Sequence, residues 1–160
     1  MKMQRSKFSK KLAFLSILLV TGIYLKAQTY SESQKIVRTF PASNETRLDL
    51  SNKYGTVQLI PWDKDSVHID IDLYIESSST SKLEKLKKSV DFEFTDTRYY
   101  IKANTIFGGK GGTFFSDLRV LGGTIIPGKN DVRIDYTVRV PSYLNLNITN
   151  KYGDIYIDDL

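Results

Sequence analysis

The chain has 160 residues, a formal charge of +5, one histidine and no cysteine, and that length suggests one domain. Six of its 23 Lys and Arg residues, and none of its 18 acids, fall in residues 1–27, so residues 28–160 hold 17 cations against 18 acids. A near-neutral body excludes the basic footprint of a nucleic-acid binder, and the lack of cysteine excludes disulfides, thiolate catalysis, Cys-ligated zinc and a lipoprotein anchor.

Met1–Ala27 reads as a signal peptide. Lys2, Arg5, Lys7, Lys10 and Lys11 precede the apolar run Leu12–Leu25. As a helix that run spans only ~21 Å, short of the ~20 residues a bilayer crossing needs. Ala27 is a small residue before Gln28, which suits cleavage; Leu25 and Lys26 suit it less, and the alternative is an uncleaved signal anchor. The expected location is therefore exported: periplasmic, outer-surface or secreted. Membrane contact is expected only through the signal segment if it is retained.

Residues 28–160 read as one β-strand-repeat domain. Lys35–Phe40 is a candidate first strand, and Pro41–Glu45 a turn cluster. Leu48–Leu59, LDLSNKYGTVQL, then alternates apolar residues on both sides of Asn52-Lys53-Tyr54-Gly55. It predicts strand, tight turn, strand, with Gly55 placed where a turn needs positive φ. Pro61 ends that strand or puts it at an edge. Val67–Ile75 alternates without a break, which predicts a strand with one buried and one wet face. Ser77–Ser81 breaks the chain, and Leu83, Leu86 and Val90 at helical spacing predict a short helix over Ser81–Ser89. Val90–Phe94 and Arg98–Ala103 predict a hairpin.

Asn104–Asn130 carries paired glycines at Gly108-Gly109, Gly111-Gly112 and Gly122-Gly123 and reads as a long loop. Val132–Val140 is a second cleanly alternating strand. Leu146–Ile157, LNITNKYGDIYI, then repeats the earlier motif 98 residues on, with Asn150-Lys151-Tyr152-Gly153 at its turn. Tyr54 and Tyr152 are expected to stack on or cover these turns. The sequence stops after Asp158-Asp159-Leu160, so the expectation is either a C-terminally truncated chain or an edge that a partner covers.

These segments resemble the secreted bacterial putative-adhesin family of β-strand repeats, a family of unknown function related to autotransporter adhesin head domains. The resemblance is to its N-terminal part. It runs over about residues 36–160 through LDLSNKYGTVQLIPWDKDSVHIDIDL, FEFTDTRYYIKANT and VRIDYTVRVPSYLNLNITNKYGDIYIDDL, and is poor over the glycine-rich stretch. It implies a solenoid-like β architecture at the cell envelope. Relatives continue with further rungs after the second motif, where this sequence stops. The family has no established catalytic or binding residues, so the resemblance implies none here.

Several residue groups carry candidate chemistry. His68, Asp70 and Asp72 share one strand face at about 7 Å between alternate residues, a spacing that suits metal ligation only if other segments converge on it. Asp63, Asp65, Asp70, Asp72, Asp135 and Asp154 are candidate carboxylates for a sugar-cleaving pair. Gly108–Thr113 lacks the Gly-Lys-[Ser/Thr] that a phosphate-binding loop requires, and no G-x-S-x-G elbow is present. The solvated-face and flexible-loop readings therefore prevail: no catalytic, metal or cofactor-binding residue is assigned, and no cofactor is expected.

The fold expectation is mainly β, a repeat or solenoid-like sheet with one short inserted helix. The alternative is an antiparallel β-sandwich. A solenoid places the two motif turns on neighbouring rungs, and a sandwich places them far apart or at opposite ends. The expected function is that of a non-enzymatic envelope or surface protein, adhesive or scaffolding, with an unknown protein or glycan partner, no nucleic-acid partner, and self-association through the C-terminal edge. The alternatives are a carbohydrate-active or metal-dependent envelope enzyme and a truncated product of a longer adhesin-like gene.

Overall fold

The computed structural model describes residues 29–108 and 130–159. The signal-peptide reading of residues 1–27 and most of the glycine-rich stretch lie outside the described residues. Among the described residues, nine strands and one helix follow in order: β1 Tyr30–Pro41, β2 Arg47–Tyr54, β3 Val57–Trp62, β4 Ser66–Ser77, α1 Thr80–Ser89, β5 Val90–Asp96, β6 Tyr100–Phe107, β7 Asn130–Pro141, β8 Asn145–Tyr152 and β9 Ile155–Ile157. The chain is mainly β, and its sheets are open. One sheet has the order β1-β4-β7-β3-β9 and the other β5-β6-β2-β8. Their inner faces share one core, a sandwich-like arrangement of two layers.

Alternation makes that core. In β4, Val67, Ile69, Ile71, Leu73 and Ile75 are buried, and His68, Asp70, Asp72, Tyr74 and Glu76 lie on the other face. In β7, Ile134, Tyr136, Val138 and Val140 are buried in the same way. The two strands pair antiparallel, with Ile71 opposite Tyr136. α1 packs against β4, β1 and β5, and Leu83 and Leu86 close the core there. Lys87 and Lys88 in its last turn complement the negative end of the helix dipole. Ser79 stands at its N-cap without a side-chain capping bond, so packing rather than capping holds the helix.

Each Asn-Lys-Tyr-Gly turn carries the chain from one sheet to the other. β2 lies in the four-stranded sheet and β3 in the five-stranded one, and β8 and β9 repeat the move. The turn is thus a corner between layers, not a hairpin. At the first corner Gly55 has φ +100°, and a Cβ there would sit 2.5 Å from the Ile134 carbonyl oxygen. Asp135 fixes the next residue, accepting hydrogen bonds from both the N–H and the hydroxyl of Thr56, each at 2.9 Å.

The two copies of the motif lie beside one another. β8 pairs parallel to β2, with Asn150 opposite Asn52 and Tyr152 opposite Tyr54; β9 pairs parallel to β3. The two layers fit the sandwich-like reading, but the motif turns are adjacent rather than at opposite ends. Pro61 sits inside β3, where β7 still pairs but β9 has already ended at Leu59. A residue without an N–H is tolerated at such a one-sided position.

β6 ends later than the composition predicts. β6 runs on through Asn104–Phe107, paired antiparallel with β5 up to Val90 opposite Phe107. Asn104 and Thr105 look like loop residues, but the ladder and the contact of Thr105 with the interior hold them in the strand.

Candidate functional site

The wet face of β4 carries a web of ion pairs. Asp70 receives Arg139 from β7 at 3.0 Å, His68 Nε2 at 3.3 Å and Lys35 from β1 at 3.8 Å. Lys35 also reaches Asp72 at 3.9 Å, and Thr39 bonds to His68 Nδ1 at 2.7 Å. Cations therefore already surround the oxygens that a metal would use. No group of three or more His, Cys, Asp or Glu suited to a metal occurs among the described residues.

The candidate carboxylates for a sugar-cleaving pair are held by different partners. Asp72 and Asp135 face one another across β4 and β7, but Asp72 holds Lys35, and Asp135 binds Thr56 and Arg133, the latter at 3.0 Å. Asp65 accepts from the Tyr143 hydroxyl at 2.8 Å. Asp154 lies at the second corner, and exposed Asp63 in the turn between β3 and β4. Of Gly108–Thr113 only Gly108 is described, and its N–H donates to the Ser89 carbonyl.

The sequence repeat builds something more organised at the corners. Asn52 points inward, where its amide donates to the carbonyls of Ile134 at 2.9 Å and Tyr54 at 3.2 Å. Its oxygen accepts from Thr105, which is also bonded to the Tyr136 hydroxyl at 2.7 Å. Asn150 repeats the donor pattern one step out, toward the carbonyls of Gly55 at 2.8 Å and Asp154 at 3.1 Å. A buried amide earns its place by satisfying backbone groups that a corner leaves unpaired. Between the strands, Asn147 donates to Asp49 at 2.9 Å. That bond, followed by Arg47, holds the Asp49 carboxyl below the usual range against the opposing effect of burial.

The strand reading did not extract these asparagines. Their signal is positional: Asn52 follows Leu48 and Leu50 on the same face at a period of two, as Asn150 follows Leu146 and Ile148.

No family model and no curated protein matches the sequence. Two solved structures are similar at low identity. One is described as a "putative cell adhesion protein" from Clostridium sporogenes ATCC 15579 (TM-score 0.38, 10% identity, covering 82% of this chain and 51% of that one). The other is a "putative adhesin" from Bacteroides fragilis NCTC 9343 (TM-score 0.35, 12% identity, 79% and 44%). This chain thus spans about half the length of the solved structures it matches. Neither likeness assigns an activity. No helix among the described residues is long and apolar enough to cross a membrane.

An aromatic and cationic cluster covers the corners. Tyr54 and Tyr152 stack with centroids 5.3 Å apart and planes 15° from parallel, as expected for rings that recur at the turn. Phe107 meets Tyr54 edge-on. The ammonium of Lys53 lies over both Tyr54 and Phe107, and that of Lys151 over Tyr152. Burial, then neighbouring Lys151, lowers the Lys53 pKa; burial, then Tyr152, raises that of Tyr54. The outer ring, Tyr152, is still 52% exposed, and Ile155 and Ile157 beside it are 39% and 58% exposed.

Proposed function

We propose that this is a non-enzymatic exported protein of the cell envelope or surface, adhesive or scaffolding, built as the start of a solenoid-like stack. In this reading β2–β3 and β8–β9 are successive rungs, and α1 with β1 and β5 forms the closed end. The observation that carries the proposal is the contrast between the two ends of the core. At one end Leu83 and Leu86 of α1 seal it. At the other, Leu146 and Ile148 are only half-buried and β9 is exposed, whereas Leu48 and Leu50, one strand inward, are 0% and 2% exposed. A repeat array grows by adding units to an edge of this kind, and this supports the stack-like reading.

The test is expression of the full sequence in a bacterial host. It calls for fractionation, mass determination of the exported form, and retention of the displayed protein on protein-coated and glycan-coated surfaces. The expected result is an envelope or secreted product beginning at Gln28 that is retained on at least one surface. A cytoplasmic product, or an exported one retained on none, overturns the proposal.

A further inference from the structure

We propose that the outer face of the four-stranded sheet, from the Tyr99–Tyr100 turn along β6, β2 and β8, binds an uncharged, hydroxyl-rich polysaccharide. This rests on the adhesive role proposed above and specifies its partner by chemistry.

Three strands lie level on this face. Leu48 and Leu50 of β2 and Ile101 and Ala103 of β6 are buried, so the residues between them point outward. The register sets those residues in rows across strands ~4.8 Å apart. Tyr100, Arg47 and Asn145 form the first row, and Lys102, Asp49 and Asn147 the second. Asp49 accepts from Asn147 and from Arg47, each at 2.9 Å, which fixes three side chains in place before any ligand arrives. Asn104, Ser51 and Thr149 follow as an uncharged third row, whose amides and hydroxyls both donate and accept. The hydroxyls of a sugar chain, each a donor and an acceptor, are matched by such a surface.

A platform of aromatic rings stands at the head of the rows. Tyr99 is 62% exposed and Tyr100 37%, yet the turn that carries them is fastened on both sides. The Thr97 hydroxyl accepts from the N–H groups of Tyr99 and Tyr100. The Arg47 N–H donates to the Tyr99 carbonyl at 3.1 Å, and the Thr46 hydroxyl to that of Arg98 at 2.9 Å. The Arg98 guanidinium lies over the Tyr99 ring and is paired with Glu45. An amphipathic ring on a rigid turn loses little entropy on contact, and its face suits the C–H side of a sugar ring.

Charge selects among partners. Arg47 and Lys102 are balanced by Asp49 and by Glu93, which lies beside Asn104, so these rows present no net field to a polyanion. The three rows contain no aliphatic side chain, whereas a protein interface centres on an apolar core. Exposed tyrosines beside neutral rows of amides and hydroxyls leave an uncharged polysaccharide as the partner that fits.

The test is affinity electrophoresis of the full chain through gels containing soluble glucan, mannan, xylan or galactan, with heparin as the anionic comparison. Saturable retardation by at least one of the four neutral polysaccharides is expected. It should weaken about tenfold on Tyr99→Ala/Tyr100→Ala, and by a similar factor on Ser51→Arg, which sets a bulky charge in the third row. Asp72→Asn, on the outer face of the other sheet, should leave it unchanged, and each variant's urea midpoint establishes that the fold persists. The inference is overturned by retardation in none of the four, by retardation in heparin alone, or by neutral-polysaccharide binding indifferent to the Tyr99, Tyr100 and Ser51 variants. A chain that is exported but retained only on protein-coated surfaces refutes this inference alone. One that binds a neutral polysaccharide but stays in the cytoplasm refutes only the envelope role.

Discussion

Asn52 and Asn150 occupy the same position of the same motif, yet the structure assigns them unequal energies. Asn52 is 3% exposed and makes three hydrogen bonds, to the Ile134 and Tyr54 carbonyls and from Thr105. At roughly 1 kcal/mol each, with buried carbonyls left behind, Asn52→Ala should cost about 3 kcal/mol. Asn150 makes two bonds, one of them exposed, and its oxygen has no hydrogen-bond partner among the described residues. Truncating it removes that unsatisfied group together with the bonds, so the two effects offset and the net cost should be about 1 kcal/mol or less. Urea unfolding of the two variants, compared at equal m-values, measures both numbers. An Asn150→Ala loss as large as that of Asn52→Ala would refute the reasoning, because it would mean that position in the stack does not decide the energy.

Other perturbations follow from the same corners and faces. Gly55→Ala should cost about 3 kcal/mol or more, since it adds left-handed strain to a Cβ contact with backbone that cannot retreat; loss of the cooperative transition or a greatly lowered urea midpoint would show it. Gly153→Ala should instead lift β9 locally. It should speed exchange of the Asp158 amide, which is bonded to the Leu59 carbonyl, while the global midpoint moves little. Burial pushes the Tyr136 pKa up to about 12. The unfolded chain therefore loses that proton first, and stability is full below about pH 10 and falls as pH rises from 10 through 12. Tyr136→Phe should remove about 2–3 kcal/mol of this alkaline loss, read as a flatter pH–stability curve, and cost about 1 kcal/mol at pH 7 through the lost bond to Thr105. Asp70→Asn should destabilise by about 1–2 kcal/mol by leaving Arg139 without its carboxylate, and millimolar calcium or manganese should not shift the midpoint of the wild-type protein.

What the sequence discloses follows from how each signal arises. β4 and β7 were legible because central strands with one wet face must alternate, and Val67–Ile75 and Val132–Val140 do so without exception. α1 was legible from Leu83 and Leu86 at helical spacing. The motif turns were legible as turns but not as corners, because a hairpin and a layer-to-layer corner make the same local demand on Gly55; only the partners of β2 and β3 tell them apart. Polar composition concealed the end of β6, since Asn104 and Thr105 are held by contacts from distant segments that no local pattern contains.

The repeated asparagine also explains why the two copies lie in register. A strand such as β8, carrying Leu146 and Ile148 on its inner face, would bury equally well after a slip of two residues along β2, because apolar periodicity is blind to shifts that preserve the face. The amides remove that degeneracy. Beyond the carbonyls of their own turns, Asn52 finds an acceptor where Ile134 presents a carbonyl, and Asn150 where Gly55 does. Slipping either strand would strand a buried amide at about 1–3 kcal/mol. The tyrosines add the same preference on the outer face, since Tyr54 and Tyr152 stack only when their strands are level. Inward amide, outward ring and a glycine that lets neighbouring carbonyls approach thus make one four-residue device. It fixes the register of a parallel ladder that hydrophobic alternation leaves undetermined, and its recurrence 98 residues later is what two adjacent corners of this kind require.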